Sequence, residues 1–145
     1  MPDEARSDQG EDGYFLEEQI GFKLRLANQR HLEIFNRLMP EITPTQFAVL
    51  AKLRDAGSIS QNQLGRFVGM DAATTKGVVD RLRAKGLVQS ARSGTDLRRL
   101  EISLTPEGES FACQAVEDAR RVSQETLARL SRRETERLLA LLDKL

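Results

Sequence analysis

Three helix-capping boxes, Thr43-Pro44-Thr45-Gln46, Ser60-Gln61-Asn62-Gln63 and Ser131-Arg132-Arg133-Glu134, fix where helices begin in this chain. In such a box a hydroxyl accepts the backbone N–H three residues on, and the Gln or Glu side chain reaches back. Two donors that a helix start leaves open are thereby satisfied. The stops are as legible. Pro40 closes the helix before the first box, and Gly57, Gly69 and Gly86 follow apolar-periodic runs where helices commonly end. The helix opened by Thr43 turns Phe47, Leu50 and Leu53 inward, and a short one after Ser60 carries Leu64, Phe67 and Val68. Gly69-Met70 makes a tight turn, and Asp71 caps a helix running to about Lys85 with Val78, Val79 and Leu82 on its inner side. Short helix, glycine turn, helix is the pattern of a helix-turn-helix.

The period then changes. Leu100, Ile102 and Leu104 alternate with Glu101 and Ser103, the two-residue repeat of a half-buried strand, and Leu87-Val88 supply an antiparallel partner. Between them the polar stretch from Arg92 to Arg99, with Gly94, suits a hairpin tip. A basic hairpin directly after a helix-turn-helix is a wing. Thr105-Pro106 begins another long helix, and Ser131 the last. Upstream, apolar residues from Leu16 through Ile20, Leu24, Ala27, Ile34 and Phe35 to Leu38 recur at helical spacing, which predicts a helix from about Phe15 to Met39. The polar, acidic residues 1–13 read as a flexible tail. The fold class is therefore mainly α with a small β wing. A single domain spans 14–145, with a winged helix-turn-helix at 43–104 and flanking helices at 14–39 and 105–145.

Those flanking helices carry more apolar residues than one small core can cover. Five leucines lie within the last eight residues (Leu138, Leu139, Leu141, Leu142 and Leu145), and a soluble monomer rarely exposes so large a patch. A homodimer that buries them is expected. Net charge is +0 over the whole chain, yet charge is segregated. Residues 72–100 hold seven bases (Lys76, Arg81, Arg83, Lys85, Arg92, Arg98, Arg99) against Asp80 and Asp96, whereas residues 1–20 hold seven acids against Arg6. A local positive excess is what phosphate binding requires; the alternative is a solvated face.

The stretch from Thr43 to Gln89, followed by the wing and Ile102-Ser103-Leu104-Thr105-Pro106-Glu107-Gly108, resembles the MarR-like transcription regulators. The sharpest elements are Val78-Val79-Asp80-Arg81-Leu82-Arg83-Ala84-Lys85-Gly86-Leu87-Val88, the wing Asp96-Leu97-Arg98-Arg99, and the closing Leu104-Thr105-Pro106-Glu107-Gly108. The resemblance implies a homodimer with interlocked terminal helices, two winged modules set for one pseudo-palindromic operator, and in many members release of a repressor by a small ligand, often an aromatic acid. The residues themselves agree with DNA reading. Ala72, Ala73, Lys76, Asp80 and Arg83 fall on the outer side of the fourth helix, where small side chains let it enter the major groove and Lys76 can reach guanine or phosphate. Thr74, Thr75 and the amides after Asp71 are placed to hold phosphates at the helix start. Arg81 lies beside the inner face, with its head free for phosphate or an acid. At the wing, Arg98 resembles the family arginine that enters the minor groove, oriented by Asp96 and followed by Arg99.

One histidine and one cysteine are too few for a His-dependent catalytic triad or a multi-ligand zinc site, so no enzyme, cofactor or metal is expected. A lone cysteine fits a reducing compartment. No apolar run is long enough to span a bilayer and no secretory signal is evident, so a cytoplasmic location without membrane partner is expected. His31 sits on the apolar stripe of the first helix, as a packed residue or as a ligand-binding one. In the family the effector pocket lies between the first helix, the reading module and the helix carrying Phe111. A small organic anion, an aromatic carboxylate or its thioester, is expected there among Phe22, Arg25, His31, Phe47 and Phe111. Cys113 reads as a small packing residue. The alternatives are a redox-sensing repressor that uses Cys113 and a helix-turn-helix module that binds only protein.

Overall fold

A computed structural model describes residues 13–145; the tail read at 1–13 lies almost wholly outside the described residues. The elements are α1 (Ile20–Leu38), α2 (Pro44–Ala56), β1 (Ser58–Ser60), α3 (Gln61–Val68), α4 (Ala72–Ala84), β2 (Val88–Arg92), β3 (Leu100–Leu104), α5 (Pro106–Thr126) and α6 (Arg132–Leu142). The mainly helical fold with a small β wing is as read from the sequence.

The capping chemistry is in place at Thr43 and Ser131, where both reciprocal bonds form. Ser60 caps α3 by accepting from the Gln63 N–H, but its hydroxyl then donates to Gln63 Oε1 at 3.2 Å instead of leaving that amide to reach back. The difference follows from Ser60 being also the last residue of β1, a strand too short to show a period in the sequence. The sheet order is β1-β3-β2, all antiparallel, with Ile59 and Ser90 flanking the buried Ile102 on the central strand.

The first helix begins five residues later than its periodicity suggests. Leu16–Glu18 form a single 3-10 turn, and Gln19 is extended (φ −83°, ψ 142°), so no side chain caps a longer helix. The core is built from Val49, Leu50 and Leu53 of α2, Leu64 of α3, Val78, Val79 and Leu82 of α4, and Ile102, with Ile34 and Phe35 of α1 meeting Ala112 and Ala115 of α5. Of the apolar residues of α3, Leu64 is buried, whereas Phe67 is 60% exposed and carries Lys52 Nζ over its ring at 4.3 Å.

The closing Leu104-Thr105-Pro106-Glu107-Gly108 motif acquires a physical reason here. Thr105 caps α5 by accepting from the Gly108 N–H and ties it to the wing base, donating through Oγ1 to Gly86 O at 2.6 Å and through N–H to Leu87 O at 3.1 Å. A Cβ at position 108 would fall inside contact distance of that same Leu87 carbonyl, so only glycine fits. The C-terminal helix is the opposite case. No residue of α6 is buried, and Ile20, Leu24 and Leu26 of α1 stand exposed with Leu138, Leu139, Leu141 and Leu142.

Candidate nucleic-acid interface

The reading surface is assembled from α3, α4 and the wing. Packing sets α4 first. Val78, Val79 and Leu82 are buried, so the opposite side is presented to solvent, and Ala72, Ala73 and Thr74 at its start are exposed. Asp71 accepts from the Thr74 N–H at 2.7 Å, and this bond holds its carboxyl below the usual carboxylate range. Thr75 departs from expectation. It is buried, its hydroxyl donates to Asp71 O at 2.7 Å, and so its side chain is withdrawn from any phosphate. The helical period places Thr75 on the same face as Val78, Val79 and Leu82. There it meets α3 at Gly65, where an added Cβ would lie 2.8 Å from Thr75 Oγ1 and 3.0 Å from Met70 O. The missing side chain thus lets the two helices approach.

Along the exposed face, Lys76 Nζ and Arg83 Nη1 both bond Asp80, at 2.7 and 2.9 Å, and the Lys76 bond is the main cause of a lowered Asp80 pKa. Exposed pairs of this kind are worth little, so Lys76 is readily recruited to another acceptor. Arg83 also donates to Ser90 Oγ on β2, which braces the helix against the wing. Arg81 is exposed and has no acidic partner among the described residues; its Nη1 lies 3.6 Å from where a Gly77 Cβ would be, beside the helix rather than in the core.

The wing tip is a closed turn. Ser93, buried, accepts through Oγ from the N–H groups of Thr95 and Asp96, and its own N–H donates to Arg99 O at 2.9 Å. The Arg92 guanidinium donates to Leu97 O at 2.6 Å. Asp96 orients Arg98, but through the main chain. Its Oδ1 accepts from the Arg98 N–H at 3.0 Å, and its carbonyl from the Arg99 N–H at 3.0 Å. Both guanidiniums are left without acidic partners. Sequence reasoning missed Arg66. It projects from α3 beside Arg98 and Arg99, and only the helix-turn-helix geometry, which sets α3 next to the wing, could have singled it out.

The five expected effector residues do not converge within one chain. Phe111 lines a cavity of about 270 Å³ with Leu38, Ile42, Ala115 and Asp118 at the end of α1. Phe47 packs edge-on against Phe35 (centroids 6.4 Å apart) and faces a separate groove of about 390 Å³ between α2 and α5. His31 Nδ1 lies 2.8 Å from Thr126 Oγ1, bridging α1 to α5. Phe22 and Arg25 stack on each other at 5.3 Å. Thirteen residues of helix separate Phe22 from Phe35, roughly 20 Å along the axis, so Phe22 cannot share a wall with Phe47 in the same chain. Two basic side chains that sequence reasoning passed over, Arg54 and Arg120, line the Phe47 groove with Asp55, beside Ala51, Val116 and Ala119. Cys113 is exposed rather than packed, which overturns its reading as a packing residue: it lines an open groove with Leu53, Gly57, Leu104 and Glu109, while its neighbour Ala112 is buried. Among the described residues no group of His, Cys, Asp or Glu is placed to hold a metal, and no helix is long and apolar enough to cross a membrane.

The MarR family model matches residues 42–100. The chain is 37% identical over 134 residues to the HTH-type transcriptional repressor NicR of Pseudomonas putida, a match that covers 91% of this chain and 85% of the relative. Among solved structures it resembles BpsR of Bordetella bronchiseptica, whose DNA binding is regulated by 6-hydroxynicotinic acid, at 35% identity and a TM-score of 0.86 over 90% of this chain and 95% of that one. It is also similar to the PcaV regulator of Streptomyces coelicolor in complex with its natural ligand, at 30% identity and a TM-score of 0.86, covering 90% of this chain and 94% of PcaV.

Proposed function

The chain belongs to the MarR family, and we propose that it is a homodimeric cytoplasmic repressor that holds one pseudo-palindromic operator and releases it on binding a small aromatic acid. Its place among DNA-binding transcription regulators, not enzymes, rests on the relatives. The observation that carries the dimer is the exposed apolar surface of α1 and α6, where Ile20, Leu24 and Leu26 and Leu138, Leu139, Leu141 and Leu142 stay open to solvent in the single chain. In this reading residues 14–39 and 105–145 form the dimer interface, and 43–104 form the reading module. The start of α4 (Asp71, Ala72, Ala73, Thr74), Lys76 and Arg81 face the major groove and its phosphates, and Arg98 and Arg99, set by Asp96, enter the adjoining minor groove.

For the effector, three features support a ring-bearing anion: the apolar walls of the α2–α5 groove with two guanidiniums against the one carboxylate of Asp55, His31 at the α1–α5 junction, and the exposed half of α1 that carries Phe22 and Arg25. Because Phe22 and Arg25 lie in the part of α1 remote from Phe47, they complete such a site only across the dimer. The regulation of BpsR by 6-hydroxynicotinic acid, a heteroaromatic carboxylic acid, favours the same ligand class here. Binding at the junction of the terminal helices and the reading module changes the separation of the two α4 helices, which must match roughly 34 Å of DNA. Genomic fragments selected by the purified protein, followed by titration of heteroaromatic and benzoic acids against the complex, test this reading. Operator release by such an acid, lost or weakened in Arg25→Ala, is the expected result. Failure to select any sequence, or a wild-type response in Arg25→Ala, would refute the operator or the effector part respectively.

A further inference from the structure

The cleft between the start of α3 and the base of the wing holds three guanidiniums and no carboxylate. It encloses about 640 Å³, and Arg66, Arg98 and Arg99 line it with Gln61 and Asn62. None of the three arginines has an acidic partner among the described residues, and the side-chain amides of Gln61 and Asn62 make no hydrogen bond there. Elsewhere on this face Arg81 of α4 also lacks an acidic partner among the described residues, but the other bases are engaged. Lys76 and Arg83 share Asp80, Arg92 bonds Leu97 O, and Lys85 reaches back to Glu41 O at 2.8 Å. The cleft thus gathers three unpaired guanidiniums, against the single one, Arg81, on α4. Three arginines without counter-charge repel one another, and planar guanidiniums with neighbouring amides match the tetrahedral oxygens of a phosphate group.

We propose that this cleft is a phosphate clamp for the operator backbone, with Arg66 its dedicated ligand and Arg98 and Arg99 shared between the clamp and the wing. The proposal rests on the DNA-binding reading above and adds a contact that carries affinity but no sequence information. The occupant is a backbone phosphodiester because α3 is the first helix of the helix-turn-helix, the helix that crosses the sugar-phosphate backbone in this motif. The cleft is wide and open to solvent, as a polymer passing through it requires. A phosphate seated there ties the wing to α3, and the wing's internal hydrogen bonds to its own turn do not do this. Minor-groove insertion of Arg98 and the clamp are thus mechanically linked.

The test measures operator affinity of the full-length protein against salt concentration, for wild type, Arg66→Ala, Arg66→Lys and the control Lys52→Ala, which removes an equal charge from α2, outside the lining of the cleft. Each neutralised phosphate contributes about 0.9 to the slope of log K against log salt, so two clefts per dimer predict that Arg66→Ala lowers the slope by about 2. Arg66→Lys should recover most of that loss, Lys52→Ala should leave the slope unchanged, and DNA selection by Arg66→Ala should return the wild-type sequence. An unchanged slope in folded Arg66→Ala, or a changed base preference, would overturn the clamp while leaving the operator reading intact. Replacing chloride by inorganic phosphate at constant ionic strength separates a backbone site from a small-anion site. Release of operator by millimolar phosphate that vanishes in Arg66→Ala would overturn the backbone assignment. If the wild-type protein selects no DNA, the reading on which the clamp rests fails, and the clamp with it.

Discussion

Replacing Gly65 by alanine isolates the contact that sets α4 against α3. The added methyl would stand 2.8 Å from Thr75 Oγ1 and 3.0 Å from Met70 O. Neither neighbour moves freely. Thr75 is buried, β-branched and held by its bond to Asp71 O, and the Met70 backbone is fixed by its N–H donating to Gly65 O at 2.9 Å. Overpacking a tight site of this kind costs about 1–3 kcal/mol, and turning Thr75 away sacrifices a hydrogen bond worth about 1 kcal/mol. Alanine recovers about 1 kcal/mol of helix propensity. The net expectation is a destabilisation of about 1–3 kcal/mol, read as a lower urea midpoint at unchanged slope and fixed protein concentration. Operator binding should weaken as well, because relief of the clash tilts α4 away from α3. In a Thr75→Ala background the same substitution should cost about 1 kcal/mol less, since the hydroxyl it strikes is gone. A Gly65→Ala protein as stable as wild type, or more stable by the propensity gain, would refute the reasoning.

Removing residues 132–145 should abolish the dimer, observable by light scattering, and with it operator binding; a folded truncated protein that still binds as a dimer would show that α6 is not part of the interface. Arg98→Ala should cost about 1–3 kcal/mol per half-site in a gel-shift titration. Lys76→Ala should cost less and relax base preference only if Lys76 reads a base, because its pairing with Asp80 must be exchanged on binding. Cys113→Ser should leave operator binding and its release by an organic acid unchanged, and release by peroxide that disappears in this variant would establish a redox switch.

The module that reads DNA was written into local sequence. Thr43, Asp71, Thr105 and Ser131 cap their helices through bonds to residues three positions on, so the starts of α2, α4, α5 and α6 depend on neighbours alone. The alternation around Ile102 likewise follows from one buried face. Tertiary structure decided what lies between elements. β1 exists because the backbone from Ser58 to Ser60 finds β3, forty-odd residues away, and three residues carry no period of their own. Thr75 turned inward because α3 crosses α4 at Gly65, and Cys113 stayed exposed because the core covers the face of α5 that carries Ala112, Ala115 and Val122. Arg66 acquired neighbours only when the wing folded beside α3. Of the effector residues, Phe22 lies roughly 20 Å along α1 from Phe35, the residue that packs on Phe47, and a helix cannot bend that distance away. Caps and alternation are short-range chemistry, and the chain spells them out. Clefts and grooves are made by residues far apart in sequence, and they exist only once the core has set the helices in place.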